Sequence, residues 1–108
     1  MKIKDIFDEL TDAAKKNGVL IRKESGAFKS GFCTVEDKKI IVLNKMASVD
    51  YMSKIMALGV SYFELDRQLF KPAIREYIDN EVAKTDQNIF KIEAPSLQAS
   101  FPDKKELK

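Results

Sequence analysis

Apolar residues along this chain change their period several times, and each change marks a new element. From residue 3 to 16 they recur at helical spacing, with Ile3, Ile6, Phe7, Leu10, Ala13 and Ala14 on one face and Lys4, Asp5, Asp8, Glu9, Asp12 and Lys15 on the other. Asn17-Gly18 ends that helix. Lys15 and Lys16 suit the negative end of its dipole, and Gly18 can take the left-handed conformation of a C-cap. From Val19 the period shortens to that of a strand. VLIRK, GFCTVE and KIIVLN are rich in β-branched residues and are separated by Ser25-Gly26 with Ser30-Gly31 and by Asp37-Lys38, which predicts a three-stranded antiparallel meander. With Asp37-Lys38 as a two-residue loop, Val35 faces Ile40 and Cys33 faces Val42 on one side of the sheet. Phe32 with Leu43, and Thr34 with Ile41, then lie on the other side. Both faces carry apolar pairs, so the second face, or the edge beside it, needs a cover.

The stretch Val49 to Leu65 is apolar on two helical stripes where a surface helix needs one. Val49, Met52, Met56, Val60 and Phe63 make the first, and Tyr51, Ile55, Leu58, Tyr62 and Leu65 the second. Asp50, Lys54, Ser61 and Glu64 make a narrow polar band. Such a helix has to be covered over most of its circumference, by the sheet on one side and by helices or a second copy of the chain on the other. Ser48 is a suitable N-cap, Asp50 and Lys54 are spaced as an i, i+4 pair, and Gly59 in mid-helix is either a close approach by another backbone or a glycine the helix simply tolerates.

Pro72 suits the first turn of a third helix, PAIREYIDNEVAK, whose apolar stripe is Ala73, Ile74, Tyr77, Ile78 and Val82. After Thr85 the pattern changes again. IFKIE reads as one more strand, and APSLQASFPDKKELK has two prolines and no sustained period. Ile89, Phe90, Ile92, Leu97 and Phe101 are more apolar than a solvating tail requires, so this end is expected to dock on its own sheet or a neighbour's. The chain therefore divides into one α+β domain over residues 1–85 and a C-terminal extension over 86–108, a strand plus an extended tail.

Composition narrows the chemistry. With 108 residues the chain can close a core without disulfide or metal staples. No apolar run approaches the length of a membrane span, and MKIKDIFDEL lacks the continuous apolar region of a secretory signal, so the expected setting is the cytoplasm, away from membranes. A net charge of +2 does not by itself imply nucleic acid. The charge is uneven, however: between residues 19 and 45, Arg22, Lys23, Lys29, Lys38, Lys39 and Lys45 face only Glu24, Glu36 and Asp37. The absence of histidine excludes the usual zinc sites and every histidine-dependent triad, and a single cysteine excludes an internal disulfide.

Few residues remain as carriers of chemistry. Cys33 falls in a strand and faces the core, where a thiol behaves as a small hydrophobe. The glycines form neither a dinucleotide fingerprint nor a P-loop, and Glu36-Asp37 is better explained as a turn than as a catalytic pair. Phe28 and Phe32 near Lys29 faintly approach the interleaving of aromatic and basic residues in single-strand binders. Asn44-Lys45 closes the third strand. Arg75 lies near the start of the third helix, where backbone N–H groups and a cation together suit an anion, although Glu76 neutralises part of that field and Asp79 is a ready ion-pair partner. Asn44, Lys45, Arg75, Arg22 and Lys29 are thus the candidate anion or partner contacts. No catalytic residue, metal ligand or cofactor is expected.

The run Gly31-x-Cys33-x-Val35, then Lys39-x-Ile41-x-Leu43-Asn44-Lys45, an apolar helix and Lys71-Pro72-Ala73-Ile74-Arg75-Glu76, resembles a family of short uncharacterised bacterial proteins over about residues 10–80. The resemblance implies a bacterial cytoplasmic setting. The order of helix, strands and apolar helix is also similar to the front half of metallopeptidases of the ImmA and IrrE type. Their His-Glu-x-x-His motif would fall near Met56, Ala57, Leu58, Gly59 and Val60, where every chemical member is missing. That likeness implies a catalytically empty scaffold.

Together these readings favour a non-catalytic protein-interaction domain, homodimeric because its apolar surface exceeds what one chain can hide. The alternatives are a nucleic-acid or anion binder using the basic meander and, last, an enzyme using carboxylates or Cys33.

Overall fold

A computed structural model describes residues 1–91. Its elements are α1 (Ile3–Lys16), β1 (Val19–Glu24), β2 (Gly31–Val35), β3 (Lys38–Asn44), α2 (Val49–Tyr62) and α3 (Pro72–Lys84), with 3-10 turns at Arg67–Leu69 and Gln87–Phe90. The fold is α+β, in the order expected.

The sheet departs from the antiparallel meander. β2 and β3 form the expected hairpin, but β3 lies between the other two strands, so the order is β1-β3-β2 and β1 runs parallel to β3. The reason lies in β3 itself. Ile40 to Leu43 are four consecutive buried residues, apolar toward both faces, and such a strand belongs in the centre with a partner on each edge. Residues 25–30 must then cross the end of β3 to reach β2. Six extended residues reach about 20 Å, ample for two strand spacings of about 5 Å each.

The hairpin loop is also displaced by one residue. Glu36 and Asp37 occupy it, both at positive φ (51° and 69°), the type I′ arrangement whose twist matches the flanking strands. Val35 therefore pairs with Lys38, Cys33 with Ile40 and Phe32 with Ile41. The pairing moves by two residues from the one expected, and an even shift leaves each side chain on its expected face. Phe32, Ile41 and Leu43 enter the main core, while Cys33, Ile40 and Val42 form a second cluster with Phe28 and Val35 packed on it.

α2 lies against the first face, with α1 beside it and α3 packed on its other side. Ser48 caps its start, its Oγ accepting from the Tyr51 amide at 3.2 Å. A Schellman turn ends it: the Leu65 amide donates to the Val60 carbonyl at 3.1 Å and the Glu64 amide to that of Ser61 at 3.0 Å, with Glu64 left-handed at φ 55°. Between these ends Ser53 and every residue from Ile55 to Val60 are buried. The close approach expected at Gly59 is made by a side chain, since a Cβ there would stand 2.7 Å from Ile41 Cδ1. Sheet, α1 and α3 of the same chain thus supply the cover that α2 requires.

The strand expected over IFKIE is a 3-10 turn as far as Phe90, after which Lys91 makes one parallel bridge to Phe32 at the outer edge of β2. Phe90 meets the Tyr51 ring edge-on at 6.3 Å. The extension therefore begins by docking on its own chain. The docking expected of Ile92, Leu97 and Phe101 lies outside the described residues. Among those described, the exposed large hydrophobics are Met1, Leu20, Met46, Leu69 and Ile89, spread over five separate parts of the chain. Among the described residues, the apolar surface of α2 and of both sheet faces is covered within one molecule.

Candidate functional site

The five candidate contacts do not converge. Arg22 is buried on the second face of the sheet, its guanidinium 2.5 Å from the Glu24 carboxylate. Lys38 and Lys39 stand at the hairpin end of β3, and Lys29 and Lys45 at the other. A strand of this length separates them by about 20 Å. The basic segment read from the sequence is therefore divided between the two ends of the sheet. Arg75 is half-buried on a separate element, α3, and Asp79 takes Arg67 as its partner at 3.4 Å. The start of α3 is tied instead by Lys71, whose ammonium donates to Glu9 of α1 at 2.7 Å; that hydrogen bond, with the attraction of the same carboxylate, raises the lysine pKa.

Asn44 is engaged on all sides. Its side-chain amide donates to the Gly26 carbonyl at 2.8 Å and the Phe28 carbonyl at 2.9 Å, and its Oδ1 accepts from the Met46 amide at 3.0 Å. Its own backbone amide donates to Ser30 Oγ at 2.9 Å. These bonds fasten the 25–30 crossing to the end of β3 and bring Phe28 down onto the second face. Asn44 is a staple for the crossing that the strand order requires.

Cys33 is buried, and burial pushes its thiol up to about 11, which leaves it protonated at neutral pH. Met56 to Val60, where a zinc motif would lie, are solid core. Among the described residues no three potential ligands gather to hold a metal ion, and no helix is long and apolar enough to cross a membrane.

Among the described residues, two open clefts adjoin at the N-terminal end of α2, divided by Tyr51. One, of about 430 Å³, is lined by Ile3 of α1, Ser48, Asp50, Tyr51 and Lys54 of the α2 start, and Tyr77 and Glu81 of α3. The other, of about 300 Å³, is lined by Phe28, Lys29, Ser30, Asn44, Met46, Ala47 and the same Tyr51. Lys29 and Asn44 are the candidates that the structure brings together. The cap that starts α2 also fixes Tyr51, because the amide bonded to Ser48 is Tyr51's own. Tyr77 is held neutral, its phenol pushed up to about 12 by burial and then by the charges of Glu81 and Asp50. Lys54 turns to the Phe90 ring, 6.0 Å from its centroid, and Glu81 pairs with Lys84 at 3.2 Å.

Sequence reasoning placed Tyr51 and Tyr77 in apolar stripes and overlooked them as surface residues. The available signal was chemical: each ends an apolar stripe position in a hydroxyl, which favours a half-buried site with one wet end. No family model, curated protein or solved structure matches the chain.

Proposed function

We propose that this chain is a small non-catalytic protein-interaction domain that docks a segment of a partner protein across the N-terminal end of α2. The observation that carries the reading is the pair of adjoining clefts sharing Tyr51, open to solvent and lined by half-buried aromatic rings with charged groups beside them. Aromatic residues contribute large contact area at low entropic cost, which is why they anchor interfaces. A phosphate polymer is a poorer fit, since its track of cations is broken into two ends of the sheet. A second copy is also a poorer fit, because among the described residues the apolar surface of α2 is already covered by α1, α3 and the sheet.

The test is selection from a displayed library of random peptides. A recurring sequence is expected, and its affinity should fall at least tenfold on Tyr51→Ala and on Met46→Asp, the latter changing a side chain 77% exposed in the second cleft. Melting temperatures of both variants report whether the fold survives. Enriched peptides that bind either well-folded variant as tightly as the parent, or no enrichment at all, would sink the reading. Light scattering at high concentration should give the mass of one chain.

A further inference from the structure

We propose that residues 92–101 of the same chain lie as a strap across the second face of the sheet, with Ile92, Leu97 and Phe101 packed on Cys33, Ile40 and Val42. This surface is separate from the clefts at α2, and it is covered in this way whether or not those clefts dock a peptide.

The face is sealed more completely than the described residues account for. Cys33 and Ile40 are 2% exposed and Val42 is fully buried, yet no helix residue belongs to their cluster. α1 and α2 pack on the opposite face. Among the described residues, the apolar side chains laid on the cluster are Phe28 and Val35, both half-buried themselves. A fully buried side chain touches about 6–12 others, so two such neighbours leave much of the cover to other residues.

Cys33, Ile40 and Leu20 stand side by side across the three strands, and their exposures of 2%, 2% and 44% show the side from which the cover comes. It reaches β2 and β3 and stops short of Leu20 on β1. The outer edge of β2 is also where residue 91 arrives. Lys91 bridges to Phe32 in parallel, which puts it on the Phe32 face and its successor, Ile92, on the face of Cys33. Extended, residues 92–101 reach about 33 Å, against about 5 Å from β2 to β3. Pro95 and Pro102 lack the amide that a ladder needs, which favours a strap lying on the face over a fourth strand. The apolar residues of the segment match the apolar cluster, and after Phe101 the chain is mostly charged.

The experiment uses the full chain. In Ile92→Cys, mild oxidation with diamide should join the new thiol to Cys33 within one molecule, because opposed residues on neighbouring strands stand about 5 Å apart, inside the span of a disulfide. Lys91→Cys, on the other face, should give no such link. With Cys33 as the sole thiol, its rate of labelling by a maleimide should rise about tenfold or more on Leu97→Asp and on Phe101→Asp, since a charge does not stay in an apolar contact. Thermal melts show that these two variants remain folded at the assay temperature, and the cross-link decides where one does not. No cross-link in Ile92→Cys, or an equally efficient one in Lys91→Cys, would overturn the inference. A covalent dimer would overturn it too, by putting the tail of a second copy on the face. So would a labelling rate unchanged by either aspartate in a folded variant.

Discussion

Gly59 gives the most exacting check on the packing of α2 against the sheet. A methyl group built there meets Ile41 Cδ1 at 2.7 Å, Ile41 Cγ1 at 3.2 Å and Phe32 Cδ2 at 3.5 Å. Ile41 and Phe32 are both fully buried, so neither has open space to retreat into. Two effects oppose each other in Gly59→Ala. Alanine gains about 1 kcal/mol in a helix interior, while forcing an extra methyl into a filled core costs about 1–3 kcal/mol. The clash should win, leaving the variant destabilised by about 1 kcal/mol, or about 4 °C in melting temperature for a domain of this size. Ile41→Val removes the offending Cδ1 at a cost of about 1 kcal/mol on its own. In that background Gly59→Ala should cease to destabilise and should recover most of the propensity gain. Urea unfolding of the four proteins measures the coupling directly, and a value of about 1–2 kcal/mol is expected for side chains in contact. Additive effects, or a Gly59→Ala variant more stable than the parent, would show that α2 does not lie on Ile41 as described.

Other expectations follow from single residues. Asn44→Ala should cost about 2–3 kcal/mol, taking about 1 kcal/mol for each of its three side-chain hydrogen bonds; Asn44→Asp should cost more, because a carboxylate would face the Gly26 and Phe28 carbonyls, and urea unfolding ranks the two. Glu64→Gly should stabilise by about 1 kcal/mol, since glycine takes the left-handed C′ position without strain, and thermal melting would show it. Above pH 9 stability should decline. The Cys33 thiol and Tyr77 phenol ionise near 9.0 and 10.0 in the unfolded chain but at about 11 and about 12 in the folded one. As pH rises through that window the unfolded state gives up its protons first and is favoured. Urea midpoints should be level from pH 7 to about 9 and fall beyond it, with Cys33→Ala flattening the lower part of the decline and Tyr77→Phe the upper.

What could be read from the sequence alone was whatever neighbouring residues decide among themselves. α1 and α3 begin and end where expected because their ends are local: Asn17 bonding back to the Ala13 carbonyl, Pro72 opening a first turn. The faces of β2 and β3 were legible for the same reason, since a period of two survives a two-residue slip of the hairpin. Strand order was not local. It turns on β3 being apolar toward both faces, which the sequence displays without saying which strand takes the centre, and on Asn44 holding a loop that begins far upstream, which becomes visible only once the strands are assembled. The site was hidden more deeply. Tyr51 and Tyr77 belong to different helices, and each looks like core within its own stripe. Only the packing of α3 on α2 leaves both rings half-covered around a shared opening, where the same apolar patterning that builds the core runs out at the start of one helix.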